Sequence, residues 1–170
     1  AYAVGMTGPA RIAAVCVVHA LIADTGGDLD ETAIDKRPVD GAVSCHRLGI
    51  SGDTQVDVQH HGGVDQAVYA YAREDSDWWA GELGRDVPPG IFGENLATEG
   101  LDVTGAVIGA RWQVGEPGIG PILKVRSPRV PCRTFQAWLQ EPHWVKRFTD
   151  HGAPGAYLAV EVEGTIAAGD

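Results

Sequence analysis

The segment Arg126–Phe135, RSPRVPCRTF, places a cysteine, Cys132, between two arginines and directly after a proline. A cysteine that only packs in a core usually has apolar neighbours. Here two prolines stiffen the backbone, because each fixes its own φ and restricts the residue before it. Positive charge on Arg129 and Arg133 would favour the thiolate over the thiol. The pattern indicates a positioned, activated sulfur, with a packed core thiol as the alternative.

The distribution of charge supports an anion site in the same segment. The chain of 170 residues has a net charge of −10, which disfavours a nucleic-acid-binding surface. No acidic residue occurs between Pro117 and Gln140, and four of the thirteen basic residues lie within ten positions: Lys124, Arg126, Arg129 and Arg133. An acidic protein with one basic segment is suited to binding a small anionic ligand.

Two further polar segments could contribute to a site. His60 and His61 precede two glycines, and adjacent side chains on an extended chain point to opposite faces, which disfavours one shared metal ion. This segment is either a tight turn in which one histidine binds backbone, or part of a pocket wall. The stretch Phe92-Gly-Glu-Asn-Leu96 contains Asn95, whose amide both donates and accepts and suits the edge of a heterocycle. A simple turn is the alternative.

The amino-acid composition is that of a globular protein. Hydrophobic residues make up 44% and charged residues 21%, which is typical of one globular domain. Cys16 and Cys45 lie in apolar surroundings and are predicted to be structural; the absence of a CxxC pair fits a reducing cytoplasm. No apolar run of about 18 residues occurs, so we expect no membrane span. We interpret residues 1–10 as an expression remnant and tail, with Met6 as the natural start, and 11–170 as one domain.

Short apolar stretches separated by glycine-bearing turns predict a β-rich fold. We expect helices at 73–83, 134–139 and 143–149, and strands at 11–22, 66–72, 95–98, 110–114, 122–126 and 157–163. The fold class predicted from this pattern is mainly β, a single-domain barrel with a few short helices.

Several segments together resemble the MOSC domain, and more narrowly its single-domain bacterial branch linked to 6-hydroxylaminopurine resistance. They are TAIDKRPVDGAV at 32–43, LGISGDTQVDVQHHGGVDQAVYAYAREDSDWW at 48–79, PPGIFGENLATEGLDV at 88–103, AVIGARWQVG at 106–115 and LKVRSPRVPCRTF at 123–135. The resemblance covers residues 11–170. It implies a β-barrel like that of pyruvate kinase and a bound molybdenum cofactor (molybdopterin), with Cys132 as the protein's sulfur ligand to the metal.

The resemblance also implies an activity, the reduction of N-hydroxylated small molecules such as hydroxylaminopurines or amidoximes. Electrons would come from a separate flavin or iron–sulfur partner, because the chain has no spare cysteines for a cluster and no dinucleotide fingerprint. The implied catalytic residues are Cys132, His60 and Asp65. The implied cofactor contacts are Lys36, Arg73, Asn95, Ser127, Arg129 and Arg133.

One departure and three alternatives stay open. Thr54 follows Gly52-Asp53 where relatives often have arginine, so one phosphate or pterin contact is either missing or supplied elsewhere. Cys132 could instead carry a persulfide in a sulfur-handling protein, because the family includes sulfurase C-terminal domains. The domain could also only store or present the cofactor. A monomer and a homodimer are both compatible with the sequence.

Overall fold

The structure is a computed structural model, and it describes residues 9–58 and 60–170. Residues 1–8 of the predicted N-terminal tail lie outside the described residues. The helices are α1 Arg73–Leu83, α2 Arg133–Leu139 and α3 Trp144–His151, with a 3-10 turn at Val64–Gln66. The strands are β1 Arg11–Ala23, β2 Glu31–Pro38, β3 Val43–His46, β4 Gly49–Ile50, β5 Val68–Ala72, β6 Leu96–Glu99, β7 Arg111–Gln113, β8 Ile122–Ser127, β9 Ala156–Val162 and β10 Gly164–Ile166.

Seven strands form the main sheet, in the order β2-β1-β6-β5-β9-β8-β7, and three form a small sheet, in the order β10-β3-β4. Neighbouring strands are antiparallel except β5 and β6, which are parallel. A parallel pair needs a crossover, and α1 provides it. The predicted mainly β fold with few helices is confirmed. The barrel is not confirmed, because β2 and β7 stay at opposite edges of the described sheet and do not pair.

The main sheet is buried on both faces, which explains the continuous apolar sequence of β5. Its residues alternate between faces, as in any strand. Val68, Ala70 and Ala72 belong to one hydrophobic cluster, which also contains Ile166 of the small sheet. Tyr69 and Tyr71 belong to the other cluster, which is formed largely by side chains of the three helices: Trp79, Phe135, Leu139, Trp144 and Phe148.

The predicted helix at 73–83 and the predicted strands match the structure to within a few residues at their ends. Strand β2 was not predicted from the sequence. It carries several of the residues that line the site described below. Its sequence, ETAIDKRP, is rich in charged residues. This fits an edge strand in which only Ala33, Ile34 and Asp35 are buried. No helix among the described residues is long and apolar enough to cross a membrane.

Candidate active site

A cavity of about 770 Å³ opens where four segments meet: β2, the β1–β2 loop, the loop that follows β4, and the segment before α2. Polar side chains on its wall include Lys36, Asp53, Asn95, His61, Arg129 and Cys132. These residues are far apart in sequence, and the folding of the main sheet brings them together. The basic segment identified in the sequence therefore contributes one wall of a roomy pocket.

Cys132 has the environment of an activated thiol. It lies at the start of α2 with an extended backbone, φ −123° and ψ 174°, and its side chain is half-buried. Burial opposes its ionisation, but hydrogen bonding with His61 and the positive charge of Arg129 outweigh burial and lower the pKa of Cys132 to about 7. A backbone hydrogen bond from Phe135 acts in the same direction. A large fraction of this sulfur is therefore thiolate near neutral pH.

The other two cysteines have the opposite character. Cys16 and Cys45 are both fully buried and unpaired with any other cysteine. Burial raises the pKa of Cys45 to about 12 and raises that of Cys16 further. The prediction that these two thiols are structural is confirmed by their burial.

The two adjacent histidines point in different directions. His61 reaches inward, and its Nδ1 lies 3.1 Å from the hydroxyl of Tyr157. The side chain of His60 is 74% exposed, and its Nδ1 lies 3.1 Å from an oxygen of Asp57. Both residues border the cavity, but His61 is the one that acts on Cys132. His60 was the predicted site residue; the direction of the two side chains, which distinguishes them, cannot be read from the sequence.

Arg129 is a buried cation, only 6% exposed. Its Nη1 donates to the carbonyl of Phe92, and its guanidinium lies 4.1 Å from the ring centre of Phe135 and 4.9 Å from that of Tyr69. Its Nε has no hydrogen-bond partner among the described residues. A buried donor left without a partner is costly, so an acceptor supplied by a ligand would stabilise this site.

The remaining cations of the basic segment pair with carboxylates. Lys124 Nζ lies 3.1 Å from Glu161, and Arg126 Nη2 lies 2.7 Å from Asp65. The side chain of Arg133 is 71% exposed, and its Nη2 lies 3.4 Å from Asp28. Surface pairs of this kind contribute little. The predicted pair of arginines beside the sulfur is therefore one buried arginine, Arg129, and one surface arginine at the cavity mouth.

A second polar network also lines the cavity. Lys36 forms an ion pair with Asp53, and both side chains are almost fully buried. Asp53 also accepts hydrogen bonds from the backbone N–H of Val18 at 2.9 Å and from Asn95 Nδ2 at 2.8 Å. Burial lowers the pKa of Lys36, while the charge of Asp53 acts the other way. The lysine adds a second basic group to the lining of the pocket.

Three predicted site residues do not border the cavity in the described part of the chain. Asp65 is exposed and pairs with Arg126. Arg73 donates to the carbonyl of Val87 and to Asp77, each at 2.8 Å, so it stabilises α1 and the loop after it. Ser127 ends β8, where it lies opposite Tyr157 in the register. Asp53, His61 and Tyr157 are polar cavity residues that were not predicted as site residues. Asp53 directly precedes Thr54, the position that departs from relatives.

The residues present fit a cofactor that carries both a soft metal and an anionic group. Cys132 can supply thiolate, which is the soft ligand that such a metal requires. Arg129 offers an unpartnered donor to an anion, and Lys36 adds positive charge. The described residues contain no cluster of three or more histidine, cysteine or acidic side chains that could hold a bare metal ion.

The chain is similar in sequence to known proteins. A family model described as the MOSC domain matches residues 57–170. The uncharacterized protein YflK of Bacillus subtilis is 34% identical over 82% of this chain and 61% of its own length. Protein YiiM of Escherichia coli is 38% identical over 59% of this chain and 45% of its own length. The chain thus spans less than two thirds of either relative.

A solved structure shows the same fold. The crystal structure of YiiM from Geobacillus stearothermophilus superposes with a TM-score of 0.72 and 26% sequence identity. The match covers 94% of this chain and 71% of that chain. The part of the chain that carries Cys132, His61 and Arg129 lies within the residues matched by the family model.

Proposed function

The chain belongs to the MOSC domain family, and on that premise we propose that it is a molybdenum-cofactor-binding oxidoreductase that reduces N-hydroxylated compounds. The family takes its name from the C-terminal domain of molybdenum cofactor sulfurases, which relates the chain to that cofactor. Hydroxylaminopurines and amidoximes are the substrate classes we propose. The finer assignment depends on the geometry of this chain's own cavity.

The single observation that carries the proposal is the state of Cys132. Its pKa of about 7 makes thiolate available at neutral pH, on the wall of a cavity of about 770 Å³. Small-molecule pockets in proteins range from about 300 to 1,000 Å³, and this one lies within that range. A buried structural thiol has neither property, as Cys16 and Cys45 show.

In this proposal each wall residue has a defined task. Cys132 Sγ would ligate the metal, and Arg129 would donate to an anionic group of the cofactor. The chemistry that a molybdenum cofactor supplies is a two-electron redox change at the metal. His61, held by Tyr157, presents its ring to the cavity beside the sulfur, where it can give a proton to the departing oxygen.

The reaction must balance in protons and electrons. Reduction of R–NH–OH breaks the N–O bond, consumes two electrons and two protons, and yields R–NH₂ and water. His61 is suited to supply one proton, because its ring nitrogen borders the cavity beside the sulfur. We propose that the electrons come from a separate flavin or iron–sulfur protein. The three cysteines of this chain leave none spare for a cluster after Cys132 and the two buried thiols are assigned.

Turnover tests this proposal. Protein produced in a host that makes the cofactor should reduce 6-hydroxylaminopurine or benzamidoxime with an artificial electron donor. Cys132→Ala should abolish the reaction and Cys45→Ala should retain it, because Cys45 lies in the core away from the cavity. Molybdenum-loaded protein that reduces neither compound would instead favour a module that only holds the cofactor.

A sulfur-handling role is the second candidate, favoured by the same ionised thiol. Cys132 thiolate would attack a persulfide donor, R–S–SH, forming Cys132–S–SH and releasing R–S⁻. A low thiol pKa favours this attack at neutral pH. Intact mass spectrometry after incubation with a small persulfide donor distinguishes the two: an added sulfur atom on Cys132 in protein that holds no molybdenum supports this role.

A further inference from the structure

Glu94 is a buried carboxylate that the proposed chemistry does not use. It is 1% exposed, and no lysine or arginine forms a salt bridge with it among the described residues. Its Oε1 accepts the backbone N–H of Gly90 at 2.6 Å, and its Oε2 accepts that of Phe92 at 3.0 Å. Burying a carboxylate is costly unless its oxygens are satisfied. Both oxygens are used here to hold one turn, Gly90–Gly93, which is closed by a 2.8 Å hydrogen bond from Gly93 N to Gly90 O.

This turn is in contact with two walls of the cavity. The carbonyl of Phe92 accepts the hydrogen bond from Arg129 Nη1. A Cβ at Gly90 would lie 2.3 Å from the carbonyl oxygen of Lys36, so the turn packs directly on β2. A Cβ at Gly93 would lie 3.6 Å from Arg129 Nη1. Both glycines have positive φ, 90° and 75°, a conformation that favours glycine. The turn therefore has little freedom to move between β2 and Arg129.

We propose that Glu94 is a positioning residue of the cavity, whose carboxylate holds the Gly90–Gly93 turn so that the Phe92 carbonyl fixes the guanidinium of Arg129. The inference rests on the proposed function only in assigning Arg129 to an anionic group of the cofactor. Apart from the Phe92 carbonyl, Arg129 contacts Tyr69, through its hydroxyl and its ring, and the ring of Phe135. Loss of the turn's geometry would leave its orientation to these two aromatic residues.

Glu74 is a suitable control residue, because it makes a similar contact outside the lining of the cavity. Glu74 Oε1 accepts the backbone N–H of Gly100 at 2.7 Å, so it too ties a glycine-containing loop through a carboxylate. Glu74 does not border the cavity. Glu74→Gln and Glu94→Gln thus make the same chemical change, and an effect that came only from general loss of stability would be shared by both.

The test observes Arg129 directly, without cofactor. In uniformly ¹⁵N-labelled protein the buried Nε–H of Arg129, assigned with an Arg129→Lys variant, should exchange slowly with water. Glu94→Gln should accelerate this exchange about ten-fold or more, because Gln can accept only one of the two backbone N–H groups. Glu94→Asp, which keeps both acceptors on a shorter side chain, should lie between wild type and Glu94→Gln. Glu74→Gln should leave the exchange unchanged.

Cofactor content provides the second measurement. In a host that makes the cofactor, Glu94→Gln should lower molybdenum per purified chain several-fold relative to Glu74→Gln. If wild type holds no molybdenum, the proposed function fails and the exchange measurement still decides the role of Glu94. Unchanged Arg129 exchange in Glu94→Gln, or equal acceleration in Glu74→Gln, would overturn the inference. If Glu94→Gln does not fold, the Glu94→Asp comparison decides by the same criterion.

Discussion

At the residue scale, the chemistry depends on three side chains that share one wall of the cavity. Burial alone would raise the pKa of the Cys132 thiol, as it does for Cys16 and Cys45. His61 and Arg129 reverse that effect, and Tyr157 holds His61 in place. The difference between the three cysteines therefore comes from hydrogen bonding and charge, which outweigh the cost of burial at one of them.

The pH dependence of alkylation tests this environment. In protein without cofactor, the rate at which iodoacetamide modifies Cys132 should rise with pH through a midpoint of about 7, because the thiolate is the nucleophile. Replacing His61 with Phe should move the midpoint upward toward about 8.5, the usual value for cysteine. His60→Phe is the matched control and should leave it in place. Equal midpoints in both variants would contradict the role assigned to His61.

The two arginines that flank Cys132 should behave differently. Arg129→Lys keeps a charge but loses the planar fork, and we expect it to lower molybdenum and pterin content about ten-fold at limiting cofactor. Arg133→Lys and Arg133→Ala should change the content little, because that side chain is exposed and pairs only with Asp28. Metal and pterin analysis of the purified variants decides. A larger loss from Arg133 than from Arg129 would contradict the burial argument.

Some of these residues could be predicted from sequence and others could not. Proline and arginine neighbours identified Cys132 and Arg129, because local chemistry distinguishes them from core residues. His61 and His60 are adjacent, and the choice between them depends on backbone direction in the loop before the Val64–Gln66 turn. Tyr157 is one apolar-strand residue among several. Its partnership with His61 spans 96 positions, which no local pattern encodes.

At the element scale, the cavity depends on how an edge strand meets the loop after β4. Lys36 on β2 and Asp53 in that loop form a buried ion pair, and Asn95, the residue before β6, donates to Asp53. This network connects the three segments through polar contacts. Buried pairs of this kind are better evidence for geometric specificity than for net stability.

Breaking the pair should be costly. Lys36→Met leaves the carboxylate of Asp53 buried without its cation, and we expect a loss of about 3–5 kcal/mol in the free energy of unfolding. The double variant Lys36→Met/Asp53→Asn should recover much of that loss, because no buried charge remains. Urea denaturation of both proteins measures the difference. If the double variant is no more stable than Lys36→Met, the pair does not function as a buried charge pair.

Elements with strong periodicity were predictable, and pairing between them was not. The apolar run at 66–72 and the acidic first turn of 73–83 gave the correct strand and helix. The edge strand β2 was missed because its exposed, charged residues lack an apolar period. Closure of the sheet into a barrel would require β2 to pair with β7, more than seventy residues later in the chain. Contacts at such separation have no signature in local sequence.

At the scale of the whole molecule, the two larger hydrophobic clusters pack different parts of the fold. One packs between the main sheet and the small sheet, and the other joins the sheet to the three helices. The second cluster includes Tyr69, Phe135 and Tyr157, which surround Arg129 and the cavity floor. Stability of the helical layer and geometry of the site are therefore coupled.

Substitutions at two tryptophans test how much the helical layer contributes to stability. Trp144 is fully buried among Trp79, Phe92, Phe135 and Phe148, so Trp144→Ala should destabilise the protein by about 3–5 kcal/mol. Trp78 is 43% exposed and stacks on His151 with ring centres 3.7 Å apart. Trp78→Ala should cost about 1 kcal/mol or less. Thermal or urea unfolding gives both values, and similar losses would contradict the assignment of the helical cluster.

The central claim is that Cys132 holds molybdenum in the cavity. The most direct measurement is the molybdenum content per chain of wild type, Cys132→Ala and Cys45→Ala, produced side by side in a host that makes the cofactor. We predict about one molybdenum per chain in wild type and Cys45→Ala, and almost none in Cys132→Ala, because the metal would lose the thiolate that Cys132 supplies. A folded Cys132→Ala protein that retains molybdenum as wild type does would contradict the claim.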